Sequence, residues 1–400
     1  PGGAPAAPDW TPLFAEARLD PGSFRSVAPR WTPPFYVDTR AAWEGAWPGR
    51  PEILVRLEAA AHQGRLAWFE VVWPWSKPER MDVQPWPKAK VMRQALYLTL
   101  MLLLLGAASF MARRNLVLGR GDRRGAFRVS MLLCAIGIVA WGLGAHNVAD
   151  WYVQTGLVAR GAGHVVLEAG FVWLVYLAVE PYARRLRPWT LVSWTRFLGG
   201  GLADPVVGRD VLVGLAWAAA AYYLGPLRHA LATFVGQPPP EPSYGSLDTL
   251  LGTGGLLSVT LGSASNSILL GLGCLLLFVL VRSVLRRDRL AVPALVLVIL
   301  LPNVFTLDSS TVYGLPLMVA FTLSWVLVLL RFGLLAACVA SFASELLYVF
   351  PITTELGSWK AGPTLFVLPL LALAALWGFR CAIGATGLRR YLAPDAPATP

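Results

Sequence analysis

A carboxylate inside an apolar run is the first feature of this 400-residue sequence that asks for chemistry. Glu168 stands in GHVVLEAGFVWLVYLAVEPY with His164 four residues before it, and His146 and Asp150 repeat the interval upstream. On a helix, that interval puts two side chains on one face. Ionisable groups at bilayer depth are costly and usually functional. Two imidazoles and two carboxylates meeting at the outer rim of neighbouring helices have the donor types for Zn²⁺ or a proton relay. The competing reading leaves His146, Asp150 and His164 as solvated rim groups, with Glu168 capped by a neighbouring helix. No H-E-x-x-H or similarly tight motif selects the metal, so the four remain candidates and no metal ligand is assigned.

A second acidic candidate is Glu345, in SFASELLYVF, which either snorkels or pairs with a polar group on another helix. Asn266, in GSASNS, has the side chain for an interhelical hydrogen bond. The stretch EPYARRLRPWTLVSWTRFLGGGLADPVVGRD (180–210) is the third concentration of polar groups. Glu180 beside Arg184 and Arg185 suggests an ion pair at a helix end. Leu191, Trp194 and Leu198 share a helical face and suggest a short amphipathic helix in the headgroup layer. Asp204, Arg209 and Asp210, around a Pro and a Gly, suggest a structured turn that folds on itself or meets a cytoplasmic domain. GRGDRRG (119–125) has the glycines of a phosphate cradle but no strand before it, so contact with anionic lipid is the better reading. The four cysteines lie in apolar runs without metal spacing and read as small buried hydrophobes. No Ser–His–Asp or Cys–His arrangement and no His-x-x-x-Asn spacing stands out, so no catalytic residue is assigned.

The elements that must position these groups follow from composition. The chain is 56% hydrophobic and 14% charged, against about a quarter charged in soluble domains. Runs such as QALYLTLMLLLLGAASFMA (94–112) approach the ~20 residues that cross a bilayer core. Nine candidate helices run near 94–112, 127–145, 164–183, 211–228, 264–282, 290–307, 312–330, 332–350 and 363–385. LDTLLGTGGLLSVTLGSASN before the fifth reads as a re-entrant piece or an extension of that helix. The fold class expected is an all-α polytopic membrane bundle of about nine transmembrane helices, residues 91–390, with a small N-terminal extracytoplasmic α/β or β-rich domain.

Residues 1–30 open as a Pro/Ala-rich linker. In 31–90, EILVRLEAAA and RLAWFEVVWPW are separated by HQG (62–64) and read as a β-hairpin with one face buried. The net charge of +11 is nearly all arginine, clustered at the ends of apolar runs. That placement points to lipid and topology and excludes nucleic acid as the natural partner. Basic residues crowd 113–128, 184–209 and 282–289, on alternate sides of successive spans, while the intervening loops are poor in them. The positive-inside rule makes the arginine face cytoplasmic, residues 1–90 extracytoplasmic and the tail 391–400 cytoplasmic. Lys88, Lys90 and Arg93 oppose this orientation and are outnumbered. The first residue is Pro1 rather than Met, so the chain reads as part of something longer.

Residues 180–210, together with RRNLVLGRGDRRGAFR, WGLGAHNVAD and DTRAAWEGAWPGRPEILVRLEAAAHQGRLAWFEVVWPWSKPERM, resemble the membrane-embedded C-terminal region of certain bacterial serine/threonine protein kinases. The resemblance covers roughly the first half of the chain; beyond Gly214 only hydropathy is shared. It implies a non-catalytic sensor and anchor region in the inner membrane, following a cytoplasmic kinase domain. It also implies that ATP and Mg²⁺ belong to that domain and that this chain binds no cofactor. No V-A-I-K, H-R-D or D-F-G is present; RFG (331–333) lies in a membrane run. Expected partners are anionic headgroups of the bilayer, the kinase domain in cis and, in an oligomer, further copies of the chain. The competing classes are a transporter or channel, and a membrane enzyme built on the rim cluster.

Overall fold

The computed structural model describes residues 8–76, 88–236, 245–302 and 311–392, without the side chains of 311–313 and 385–392. The Pro/Ala-rich opening to residue 7, the connector at 77–87 and the tail from 393 lie outside the described residues. The chain divides into two compact units, Pro1–Pro87 and Lys88–Pro400.

The first unit is β-rich. A short helix α1 (Thr11–Glu16) precedes an antiparallel sheet of β1 (Phe24–Val27), β2 (Thr39–Trp47), β3 (Arg50–His62) and β4 (Arg65–Val72), paired in sequence order. The expected hairpin is β3–β4. Gln63 and Gly64 turn it, with φ of +51° and +75°, the doubly positive geometry that matches strand twist. The linker reading of 1–30 is corrected from residue 11 onward. Proline and alanine conceal three large apolar side chains there: Phe14, Leu19 and Phe24 bury against Val55 and Leu57 of β3.

The other face of β3 is buried as well, although its residues are charged. Arg56 donates from Nε to Glu58 at 2.6 Å and from Nη1 to Glu44, its cross-strand partner, at 2.5 Å. It also donates to the carbonyl of Ala28, while the Arg30 amide donates to Glu58 at 2.9 Å. Burial works against the Arg56 charge, but the carboxylates outweigh it and hold the guanidinium more firmly protonated than usual. The ion cluster fastens the segment before β2 over the sheet.

The second unit is helical. In order it comprises α2 (Lys88–Val117), α3 (Arg123–Gly144), α4 (Trp151–Leu186), α5 (Val192–Leu198), α6 (Pro205–Tyr222), α7 (Leu224–Phe234), α8 (Thr253–Leu285), α9 (Asp288–Leu300), α10 (Thr311–Arg331), α11 (Leu334–Val349) and α12 (Ala361–Leu392), the last broken at Gly384. α4 packs on α2, α3 and α8; α8 also meets α9 and α11; α6 lies between α11 and α12. The main core runs through the unit from Val129 and Val172 to Leu275, Leu329 and Leu334, and a smaller cluster gathers Leu346, Phe350 and Val367.

Each of the nine expected segments contains helix, the fourth broken at Tyr223 and the sixth running into 303–307, which lie outside the described residues; nine spans is more than the described residues show. Seven helices are long and apolar enough to cross a membrane, with α6 and α7 counted as the single run Pro205–Phe234. α9 has 13 residues and α11 has 16, about 20 and 24 Å at 1.5 Å per residue, short of a ~30 Å core. The Gly/Ser-broken stretch before 264 is an extension rather than a re-entrant piece, since α8 is continuous from Thr253. Leu102, Leu103 and Phe110 on α2 and Val166 and Leu167 on α4 are exposed. Faces that apolar are compatible with a multi-pass membrane protein and foreign to a soluble monomer.

Candidate functional site

The stretch 180–210 begins inside α4, where Pro181 interrupts the helix. Proline has no amide hydrogen, so the carbonyl of Leu177 loses its i+4 donor. Asn115, near the end of α2 and 2% exposed, supplies one. Its Nδ2 donates to Leu177 O at 2.8 Å and to Ala178 O at 3.1 Å. One turn on, Glu180 and Arg184 form the expected i, i+4 ion pair, with the carboxylate buried and the guanidinium exposed. Arg185 is exposed and has no ion pair or hydrogen bond among the described residues.

Beyond α4 the chain is tied to distant helix ends. Arg187 donates from Nη1 to the carbonyl of Leu330 at 3.1 Å and from Nη2 to Asp288 at 2.9 Å. Trp189 donates from Nε1 to the same Leu330 carbonyl at 3.0 Å. That carbonyl belongs to the last turn of α10, where no helical donor remains and the helix dipole is negative. Asp288, at the start of α9, also accepts from Arg282 at the end of α8. Its carboxyl is held below the usual range, since the hydrogen bonds and charges of Arg282 and Arg187 outweigh the cost of its burial. Gly333, at φ +112°, lets the α10–α11 turn pass the backbone of Thr190: a Cβ there would lie 2.6 Å from the Thr190 carbonyl oxygen.

The helical face of Leu191, Trp194 and Leu198 exists, but its environment corrects the headgroup-layer reading. Trp194, on α5, is 1% exposed and part of the main core. The apolar stripe is satisfied by protein, which competes with lipid for the same pattern. Polar groups follow it inward: Ser193 Oγ, Trp194 Nε1 and Asp210 Oδ2 are buried without a protein hydrogen-bond partner among the described residues.

The turn after α5 closes on itself, one of the two uses expected for it. Arg196 Nη1 contacts both oxygens of Asp204, at 3.0 and 2.8 Å. Asp204 also caps α6 by accepting from the Val206 amide at 2.8 Å. That backbone bond is the largest effect and lowers the Asp204 carboxyl; burial opposes it, and the hydrogen bond and charge of Arg196 add to the lowering. Asp210 is fully buried on α6. Its Oδ1 accepts from Nε and Nη2 of Arg209 at 2.9 and 2.8 Å, and the Ser193 hydroxyl lies beside the same carboxylate. Gly208 lets α6 meet α12, where a Cβ would stand 2.5 Å from the Gly378 carbonyl oxygen. Cys381 of α12 contacts the carbonyl of Leu202 at 3.5 Å. The stretch is therefore a plate hydrogen-bonded to α9, α10 and α12, with Arg187 bonded outward and most of its other charges paired within the stretch.

The same contacts bring the arginine-rich connectors to one end of this unit. Asn115 and Gly121 reach the Leu177 region of α4, and Arg187 reaches Asp288. In GRGDRRG, Asp122 accepts from the Gly125 amide at 2.8 Å and so occupies the N-terminus of α3 itself. That carboxylate already satisfies an amide of the α3 N-terminus, which weighs against a phosphate cradle there.

The rim candidates do not assemble. α3 ends at Gly144 and α4 starts at Trp151, so His146 and Asp150 lie in the connection and have no shared helical face. Asp150 caps α4 through the Tyr152 and Val153 amides. His164 is exposed on α4 and Glu168 half-buried. No group of three His, Cys, Asp or Glu side chains suited to a metal occurs among the described residues. Glu345 and Asn266, separate expectations, meet each other: Asn266 Nδ2 donates to Oε2 at 3.1 Å, joining α8 to α11. All four cysteines are free thiols, three of them buried. Asn115, Arg187, Asp288 and Ser193 were not among the expected site residues. Only the proline inside a helical pattern, which demands a donor from elsewhere, pointed toward one of them.

Searches of protein-family models, of curated proteins and of solved structures each found nothing that matches this chain.

Proposed function

We propose that this chain is the membrane-embedded sensor and anchor region of a bacterial serine/threonine protein kinase, passing an envelope signal to a kinase domain in the cytoplasm. The observation that carries the reading is the plate at 180–210. A loop serving only topology needs arginines and nothing more. This one is bonded to the ends of α9 and α10 through Arg187, Trp189 and Asp288, and its α6 end is packed on α12 through Gly208. A shift of any of these helices moves the surface that a cytoplasmic domain would read. A signal then needs only a ligand that favours one helix arrangement over another. In this reading the β-rich unit lies in the extracytoplasmic compartment of the inner membrane, and ATP and Mg²⁺ belong to the kinase domain.

The gene upstream of the Pro1 codon tests this directly. It is expected to encode a kinase domain with a glycine-rich loop and H-R-D and D-F-G triplets in the same reading frame. A start codon at or near Pro1, or an unrelated domain, contradicts the proposal.

The Asn266–Glu345 pair favours a second reading, since a carboxylate bonded across two membrane helices suits a transporter or channel. Proton or cation flux into liposomes carrying the purified chain, abolished by Glu345→Gln, would select it.

A further inference from the structure

Where α9 begins and α10 ends, a cleft of about 450 Å³ opens between Arg187, Trp189, Val292, Leu327, Leu330 and Arg331. Its walls are of two kinds. Val292, Leu327 and Leu330 form an apolar side, and Leu323, one turn from Leu327, continues it as an exposed strip along α10. Arg187, Arg331 and the half-exposed indole of Trp189 form a cationic, aromatic rim.

The two arginines differ in how they are held. Arg187 is fixed by Leu330 O and Asp288, with its guanidinium 5.4 Å from the Phe278 ring centre and 5.8 Å from that of Trp189. Its position is set without a ligand. Arg331 is exposed and makes no hydrogen bond or ion pair among the described residues. It ends an apolar candidate span, Gly314–Arg331, so the cleft lies where hydrocarbon gives way to headgroups. Tryptophan is enriched at that depth, with one side against apolar matter and the other wet.

We propose that this cleft holds one anionic phospholipid. The phosphate lies between Arg187 and Arg331, the glycerol portion against Trp189, and an acyl chain along Leu327 and Leu323. A free anion would use the rim and leave the apolar wall unoccupied; a zwitterionic lipid would bring the cation of its own headgroup against the two arginines, and a lipid without phosphate would leave Arg331 uncompensated. The proposal stands whichever compartment the arginine face meets, and it does not depend on the kinase reading.

The test is lipid retention by the full chain purified in detergent, with bound lipids counted by native mass spectrometry. The chain is expected to keep one phosphatidylglycerol at concentrations where phosphatidylcholine is lost. Arg331→Gln is expected to weaken that retention about fivefold, the effect of one cation beside an anionic headgroup. Arg160→Gln, an exposed arginine on α4 outside the cleft, is expected to leave it unchanged. Among the described residues Arg331 is bonded to no other part of the fold, so its substitution tests binding rather than folding. Equal retention of both lipids, or equal losses in the two variants, would overturn the site. Displacement of the lipid by an equal concentration of soluble glycerol 3-phosphate would overturn its assignment to a phospholipid.

Discussion

Pro181 cannot hydrogen-bond to Leu177, and the molecule answers with Asn115, 62 residues before that carbonyl in sequence. Replacing Asn115 by leucine keeps the size and removes both donors. It is expected to cost about 1–2 kcal/mol, the usual penalty for a buried polar group left without its partner. Reversible unfolding in mixed detergent micelles would measure it. In a Pro181→Ala background the helix regains its own donor, so the same substitution should cost clearly less, and equal costs in both backgrounds would refute the repair. At this scale the sequence is legible where a pair is local. Glu180 and Arg184 are one turn apart and are found together. It is illegible where the partner is set by packing. Nothing near Asn115 announces Leu177, and nothing in the sequence shows that Glu345 and Asn266 belong to each other. The rim cluster fails for a different reason: an i, i+4 interval gives a shared face only on a helix, and residues 145–150 are not helical.

At the scale of the element, periodicity gives a face but not what covers it. The stripe of Leu191, Trp194 and Leu198 suits a lipid surface or a protein surface equally, and α5 uses it against the core. The β3–β4 hairpin was legible from its turn and alternation, whereas α1 and β1 were hidden by a proline- and alanine-rich setting. Small residues are the clue most easily passed over. Gly208 stands in DPVVGRD, which reads as a turn; in the folded chain it lies on α6, at the closest approach to α12. Gly208→Ala puts a methyl group against the Gly378 carbonyl. It is expected to lower stability by about 1–3 kcal/mol as the two helices separate, read as a fall in the unfolding midpoint. Unchanged stability would show that α6 and α12 do not pack this closely.

For the whole molecule, composition was the most reliable guide. The mostly helical architecture, one hairpin of the small antiparallel sheet and the approximate position of the long apolar helices were legible from apolar runs and turn residues. The number of spans was not, because α9 and α11 are apolar but short, and length decides crossing. The three arginine-rich connectors do gather at one end of the helical unit, joined by Arg187, Asp288 and Asn115. The compartment facing that end decides whether a cytoplasmic domain is able to read the plate. Thiol labelling in intact cells measures it most directly, using single cysteines at the exposed positions Glu52 and Arg185 and a membrane-impermeant reagent. The account predicts that Glu52→Cys reacts from outside and that Arg185→Cys reacts only after the cells are permeabilised. Labelling of Arg185→Cys in intact cells with Glu52→Cys protected would contradict it.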